Sequence, residues 1–90
     1  MFIMPDNVHT NEEWIIWLLA EEFSGKATHE MLSQRMHLPP DQTKECIQRL
    51  EQVKAVSVQR DAETKNVILA VRLTPAGRSQ YAKIQGRLEK

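Results

Sequence analysis

Two adjacent prolines, Pro39 and Pro40, divide the middle of this 90-residue chain and limit how its centre can fold. Pro40 lacks an N–H, which is harmless in the first turn of a helix because that group has no intrahelical partner there. Pro39 drives Leu38 towards an extended backbone. The pair therefore closes one helix and opens another. Behind it, Thr43, Cys46, Ile47 and Leu50 recur at i, i+3, i+4 and i+7, the spacing of one buried helical face. This reading predicts a helix over 40–53, with Cys46, Ile47, Leu50 and Val53 as its apolar side. The other side carries Asp41, Gln42, Lys44, Glu45, Gln48, Arg49 and Gln52. That row is neither a basic stripe nor a uniformly charged solvated face.

Local signals mark out the rest. In "TNEEWIIWLLAEEF", Thr10 followed by Glu13 forms a capping box, so a helix begins there. Trp14, Ile15, Ile16, Trp17, Leu18 and Leu19 make that helix apolar nearly all round, so it must be covered on more than one side, by its own domain or by a second subunit. Gly25 suits its C-terminal end. A second helix is expected from Thr28, its cap, to Met36, with Met31, Leu32 and Met36 buried. "AVSVQR" and "NVILAVRL" are rich in β-branched residues and flank the polar "DAETK", which predicts a hairpin with strands at 56–60 and 67–73. A very short extra strand is expected at 26–27. In "LTPAGRSQYAKIQGRL", Thr74 caps a last helix and Pro75 opens it. Ala76, Ser79 and Ala82, with Tyr81 or Ile84, are expected to face the domain. Residues 1–9 read as a flexible lead-in and 10–90 as a single domain. The fold class is α+β. Two short helices, a tight turn, a hairpin and a C-terminal helix follow the plan of a winged helix-turn-helix.

Ninety residues suit one small domain. No apolar run approaches the length of a membrane span. The opening "MFIMPDN" lacks the basic and apolar regions of a signal peptide, so a cytoplasmic location is expected. The single cysteine, Cys46, can form no internal disulfide and is expected to be a buried, reduced thiol. His9, His29, His37 and Cys46 do not have the spacing of a zinc site, so no metal is expected. "SGKAT" fails as a phosphate loop, with Ala20 at the first glycine position and Ala27 in place of the magnesium-binding hydroxyl. No nucleophile elbow or pair of carboxylates stands out, so neither an enzyme nor a cofactor is expected. The net charge is zero but unevenly spread. Asp6, Glu12, Glu13, Glu21 and Glu22 give residues 1–25 a charge of −5, and the remaining 65 residues hold all 12 basic and 7 acidic side chains, for +5.

Residues 35–61, "RMHLPPDQTKECIQRLEQVKAVSVQRD", resemble the helix-turn-helix and first wing strand of MarR-type winged-helix regulators. "RLEQVKAVSVQRD" is similar to their "RLEELGLVxRxxD", and "LTPAGRSQYAKI" at 73–84 to their "LTxxGRxxxxxI". The resemblance implies a DNA-binding transcriptional regulator, usually a dimer, with helix 40–53 in the major groove and the 56–73 hairpin as wing. Carried over, Pro40, Asp41, Gln42, Lys44 and Glu45 fall where that family meets DNA, and Arg60 and Lys65 fall at the wing. Lys54 stands where the family has Gly, and Glu45 where it often has Arg.

Two functions are compatible with these residues. In the first, a small regulator reads double-stranded DNA, with Gln42, Lys44, Gln48 and Arg49 able to reach base edges or phosphates. Arg35, Arg60, Lys65 and Arg72 are further candidates for phosphate contact. In the second, a winged helix serves as a protein-interaction module without useful DNA affinity, with Trp14, Ile15, Trp17 and Leu18 as the interface; a homodimer through the terminal helices would use the same surface. The helix-turn-helix geometry favours the first, because recognition depends on a local face rather than on net charge.

Overall fold

The computed structural model describes residues 8, 10–64 and 67–86. Its elements follow in the order α1 (Asn11–Glu21), β1 (Lys26–Ala27), α2 (His29–Met36), α3 (Pro40–Gln52), β2 (Val56–Arg60), β3 (Ile68–Leu73) and α4 (Pro75–Gly86). The strands form one antiparallel sheet in the order β1-β3-β2. Every element expected from the sequence is present, the short strand at 26–27 included.

The caps work as the sequence implies. Thr10 accepts a hydrogen bond from the Glu13 N–H at 3.2 Å, and Thr28 accepts from the Met31 N–H at 3.0 Å. Helix α1 packs against α4, α3 and β3, which accounts for its nearly continuous apolar surface. Ile15, Leu18 and Leu19 are fully buried, Ile16 and Trp14 nearly so, and Trp17 half-buried. Each fully buried aliphatic side chain contributes roughly 1.5–3 kcal/mol relative to exposure. Only Trp17 of the expected interface set keeps open surface, because the other three fill this chain's own core. Val8, placed in the lead-in by the sequence, is also buried in that core.

Three burial expectations are corrected. Met31 is exposed, and the inner side of α2 is Leu32, Ser33 and Met36. Val53 lies beyond the last turn of α3 and is exposed. On α4, Ala76, Ser79 and Ala82 face outwards, whereas Gly77 and Ile84 are buried and Tyr81 is half-buried. Gly77 sets this orientation. A Cβ there would lie 2.1 Å from the Ala55 carbonyl oxygen and 2.6 Å from Leu73 Cδ1, so α4 turns its glycine, not its alanines, towards the domain.

The "LTPAG" stretch is thus a clamp between α4 and the turn leading into β2. The Thr74 hydroxyl donates to the Lys54 carbonyl at 2.6 Å, its N–H donates to the Ala55 carbonyl at 3.1 Å, and its oxygen accepts from the Gly77 N–H at 3.1 Å. Lys54 sits in this turn with φ +63°. Its N–H bonds to the Glu51 carbonyl and that of Ala55 to the Leu50 carbonyl, the paired bonds of a left-handed helix terminus. A lysine there is strained by about 1 kcal/mol relative to glycine. Lys54→Gly is expected to raise stability by about 0.5–1 kcal/mol, read as a higher denaturant midpoint at unchanged slope.

Candidate nucleic-acid interface

Helices α2 and α3 are joined by three residues. His37 adopts φ +54°, and its N–H and that of Leu38 bond back to the Gln34 and Ser33 carbonyls, which ends α2 abruptly. Pro39 stands at ψ 145°, and its carbonyl accepts both the N–H and the hydroxyl of fully buried Thr43, at 3.1 and 3.2 Å. His29 Nε2 donates to the Pro40 carbonyl at 2.9 Å, tying the start of α2 to the start of α3. Thr43, Cys46, Ile47 and Leu50 are buried as their spacing requires. Pro40, Asp41, Gln42, Glu45, Gln48 and Arg49 are therefore exposed along the outside of α3, with Lys44 half-buried at its edge.

The arginines are distributed in a way that the sequence does not reveal. Arg35 makes a two-pronged contact with Glu22 at 2.8 and 2.7 Å. Arg60 makes another with Glu51 at 2.7 and 2.6 Å. Arg49 Nη1 donates to Glu12 Oε1 at 2.9 Å. Arg60 comes from the wing strand; it follows Val56 and Val58 in the strand's alternation, on the helix side of the sheet, and a register shift after Gln59 sets it opposite buried Ile68. The candidates Arg35 and Arg60 are thus braces between elements. Lys65 lies outside the described residues. The wing turn itself is closed by Asp61, whose Oδ1 accepts the N–H groups of Glu63 and Thr64.

These pairs leave an electrostatic signature. Hydrogen bonds from Arg60 hold the Glu51 carboxyl below its ordinary 4.5, against the burial that opposes them. Burial is the largest single influence on Glu12 and raises its pKa, but the hydrogen bonds and the charge of Arg49 together outweigh it, so the net displacement is downward. A carboxyl whose folded pKa is depressed contributes stability that is present above the unfolded value and is lost as pH falls through the folded one. Melting temperature is therefore expected to drop below pH 4.5, and to drop less in Glu51→Gln, which has no carboxyl to protonate. Thermal scans at stepped acid pH check this; parallel profiles for the two chains count against it.

Cys46 is a free, buried thiol, as expected. Burial first, then the nearby Glu12 carboxylate, push its pKa up, away from nucleophilic reactivity. An open groove of about 620 Å³ lies between α2 and β3. It is lined by His29, Ser33, Gln34, Leu38, Ile68 and Leu69 among others. His29 Nε2 is engaged with the Pro40 carbonyl and Ser33 Oγ has no hydrogen-bond partner among the described residues, so the two are not hydrogen-bonded to each other.

No model of a known protein family matches the chain, and no curated protein matches it. Solved structures do. The YusO protein from Bacillus subtilis superposes with a TM-score of 0.72 at 15% identity, over 88% of this chain and 54% of that one. The transcriptional regulator BldR from Sulfolobus solfataricus gives 0.71 at 21%, over 93% and 58%. A probable transcriptional regulator from Pseudomonas aeruginosa gives 0.73 at 17%, over 96% and 62%. The fold is a winged helix. It is the fold expected from the resemblance to MarR-type regulators, and the chain spans between half and two thirds of the length of these neighbours. Within this winged helix, α2 and α3 form the helix-turn-helix and β2–β3 the wing. No described helix is long and apolar enough to cross a membrane.

Proposed function

We propose that this winged helix is the DNA-binding unit of a transcriptional regulator, with the outer side of α3 entering the major groove. The observation that carries this reading is the exposed row on α3, held at a fixed angle to α2 by the Thr43–Pro39 and His29–Pro40 hydrogen bonds. Gln42 and Gln48 can pair with adenine edges, Glu45 can accept from cytosine N4, and Lys44 can hold a phosphate. Asp41 and Pro40 lie at the helix start, where α3 would first meet the groove. The β2–β3 hairpin serves as the wing. Dimerisation would pair two such helices on a palindromic site, with α1 and α4 as the elements that meet.

A reading face built more from amides than from free cations binds DNA with modest affinity and modest dependence on salt, because few counterions are released. Titration of a fluorescent random duplex pool, at low and near-physiological salt and with solution mass measured alongside, tests the proposal. Binding that weakens with salt supports it. Absence of binding at low salt sinks it and favours the protein-interaction reading, for which exposed Met31, Val67 and Leu69 supply apolar surface that the first helix does not.

A further inference from the structure

The three arginine–glutamate pairs are not equivalent. Arg35 and Arg60 each donate two hydrogen bonds to one carboxylate, and their side chains are 36% and 31% exposed. Arg49 donates through Nη1 alone, and its side chain is 65% exposed, beside Gln48 on the outer row of α3. The first two are locked between elements. The third is a solvent-facing cation whose one ion pair among the described residues is with a single carboxylate, reached through a single nitrogen. That carboxylate is fixed by the fold: Glu12 lies in the first turn of α1, where the helix dipole favours its charge, and its side chain is 25% exposed.

We infer that Glu12 is an intramolecular competitor for the nucleic-acid phosphate that Arg49 would otherwise bind, and so sets the affinity of the α3 face. This rests on the DNA-binding reading above. A phosphate oxygen and a carboxylate oxygen make the same charge-assisted contact with a guanidinium. For Arg49 to turn to a phosphate, it must leave Glu12 without the one cation that pairs with it among the described residues, beside the buried Cys46 thiol. An anion left without its partner in a partly desolvated place offsets much of the gain from the new contact. The acidic start of the chain therefore acts on the reading face directly, through one residue, and not merely by lowering net charge.

The test is titration of the same random duplex pool with the native full chain, E12Q, E12D, R49A, E12Q/R49A and E30Q. Glu30 is an exposed carboxylate hydrogen-bonded to the Gln34 amide, so E30Q removes the same charge without freeing an arginine. E12D keeps the charge but draws the carboxylate back from Arg49. An exposed pair of this kind sets the scale: E12Q is expected to tighten binding about threefold at low salt. It is also expected to steepen the salt dependence by about one released counterion. E12D is expected to shift in the same direction, and E12Q/R49A to lose the gain. Melting curves establish that each variant is folded at the assay temperature. The inference is overturned, with DNA binding still standing, if the native chain binds and E12Q and E12D match it, if E30Q gains as much, or if the gain survives in E12Q/R49A. If no variant binds DNA at low salt, E12Q included, the DNA-binding reading fails and this inference fails with it.

Discussion

Gly77→Ala is expected to destabilise this domain by about 3 kcal/mol, near the upper end for overpacking. The added methyl would meet the Ala55 carbonyl oxygen at 2.1 Å, a backbone atom already held by the Thr74 N–H. Neither side can yield easily: Ala55 is fully buried in the turn that ends α3, and α4 begins only two residues before Gly77. For a domain of this size the loss corresponds to a fall in melting temperature of about 12 °C or more. Gly86→Ala is the internal control. Among the described residues, nothing beyond its own helix backbone and chain neighbours lies within 4 Å of its would-be Cβ, and it stands at the end of the same helix. There the lower conformational freedom of alanine stabilises by up to about 1 kcal/mol. Opposite signs for the two substitutions would show that close approach to Ala55, and not a need for backbone flexibility, fixes glycine at position 77. A change below about 0.5 kcal/mol at Gly77 would mean that the clamp opens without cost.

The double substitution Lys44→Ala with Gln48→Ala is expected to weaken duplex binding by a factor of about 30, near 2 kcal/mol, while leaving the fold intact. Gln48 is exposed and Lys44 half-buried, one helical turn apart on the same side of α3, and alanine preserves helix propensity. The two halves of the effect are separable. Loss of a base contact at Gln48 costs about 1–3 kcal/mol against the preferred base and leaves the salt slope unchanged. Loss of a phosphate contact at Lys44 weakens binding to all sequences alike and lowers the salt slope by about one. Unchanged affinity in the double variant would remove this side of α3 from the interface. The fold would then stand without the proposed function, because winged-helix architecture does not by itself dictate what is bound.

Much of the fold was legible because it rests on local chemistry. Thr10, Thr28 and Thr74 cap helices through bonds to residues three positions on, and Pro40 and Pro75 open helices where a missing N–H costs nothing. The four-residue apolar spacing on α3 and the β-branched runs of the hairpin fixed which sides turn inward. Where the reading went astray, a partner distant in sequence had decided. Ala76, Ser79 and Ala82 suit a buried face by size, yet Ala55 selects Gly77 instead. Met31 fits an inward position on α2 by hydropathy alone, but the core is filled by Leu32 and Met36. The resemblance marks position 54 as a glycine site, and the left-handed backbone of Lys54 shows the physical demand behind that.

The candidate site divides along the same line. The amino-acid sequence alone determined that α3 presents Asp41, Gln42, Lys44, Glu45, Gln48 and Arg49 on one side, since helical periodicity and the buried stripe leave them nowhere else to go. Only the tertiary structure decided which cations remain available. Arg49 meets a carboxylate 37 residues away, Arg35 one 13 residues away, and Arg60 one 9 residues away across the turn into the wing. No periodicity relates such residues. Their pairing follows from how α1, α2, α3 and the hairpin pack, and packing is a property of the whole domain rather than of any window of its sequence.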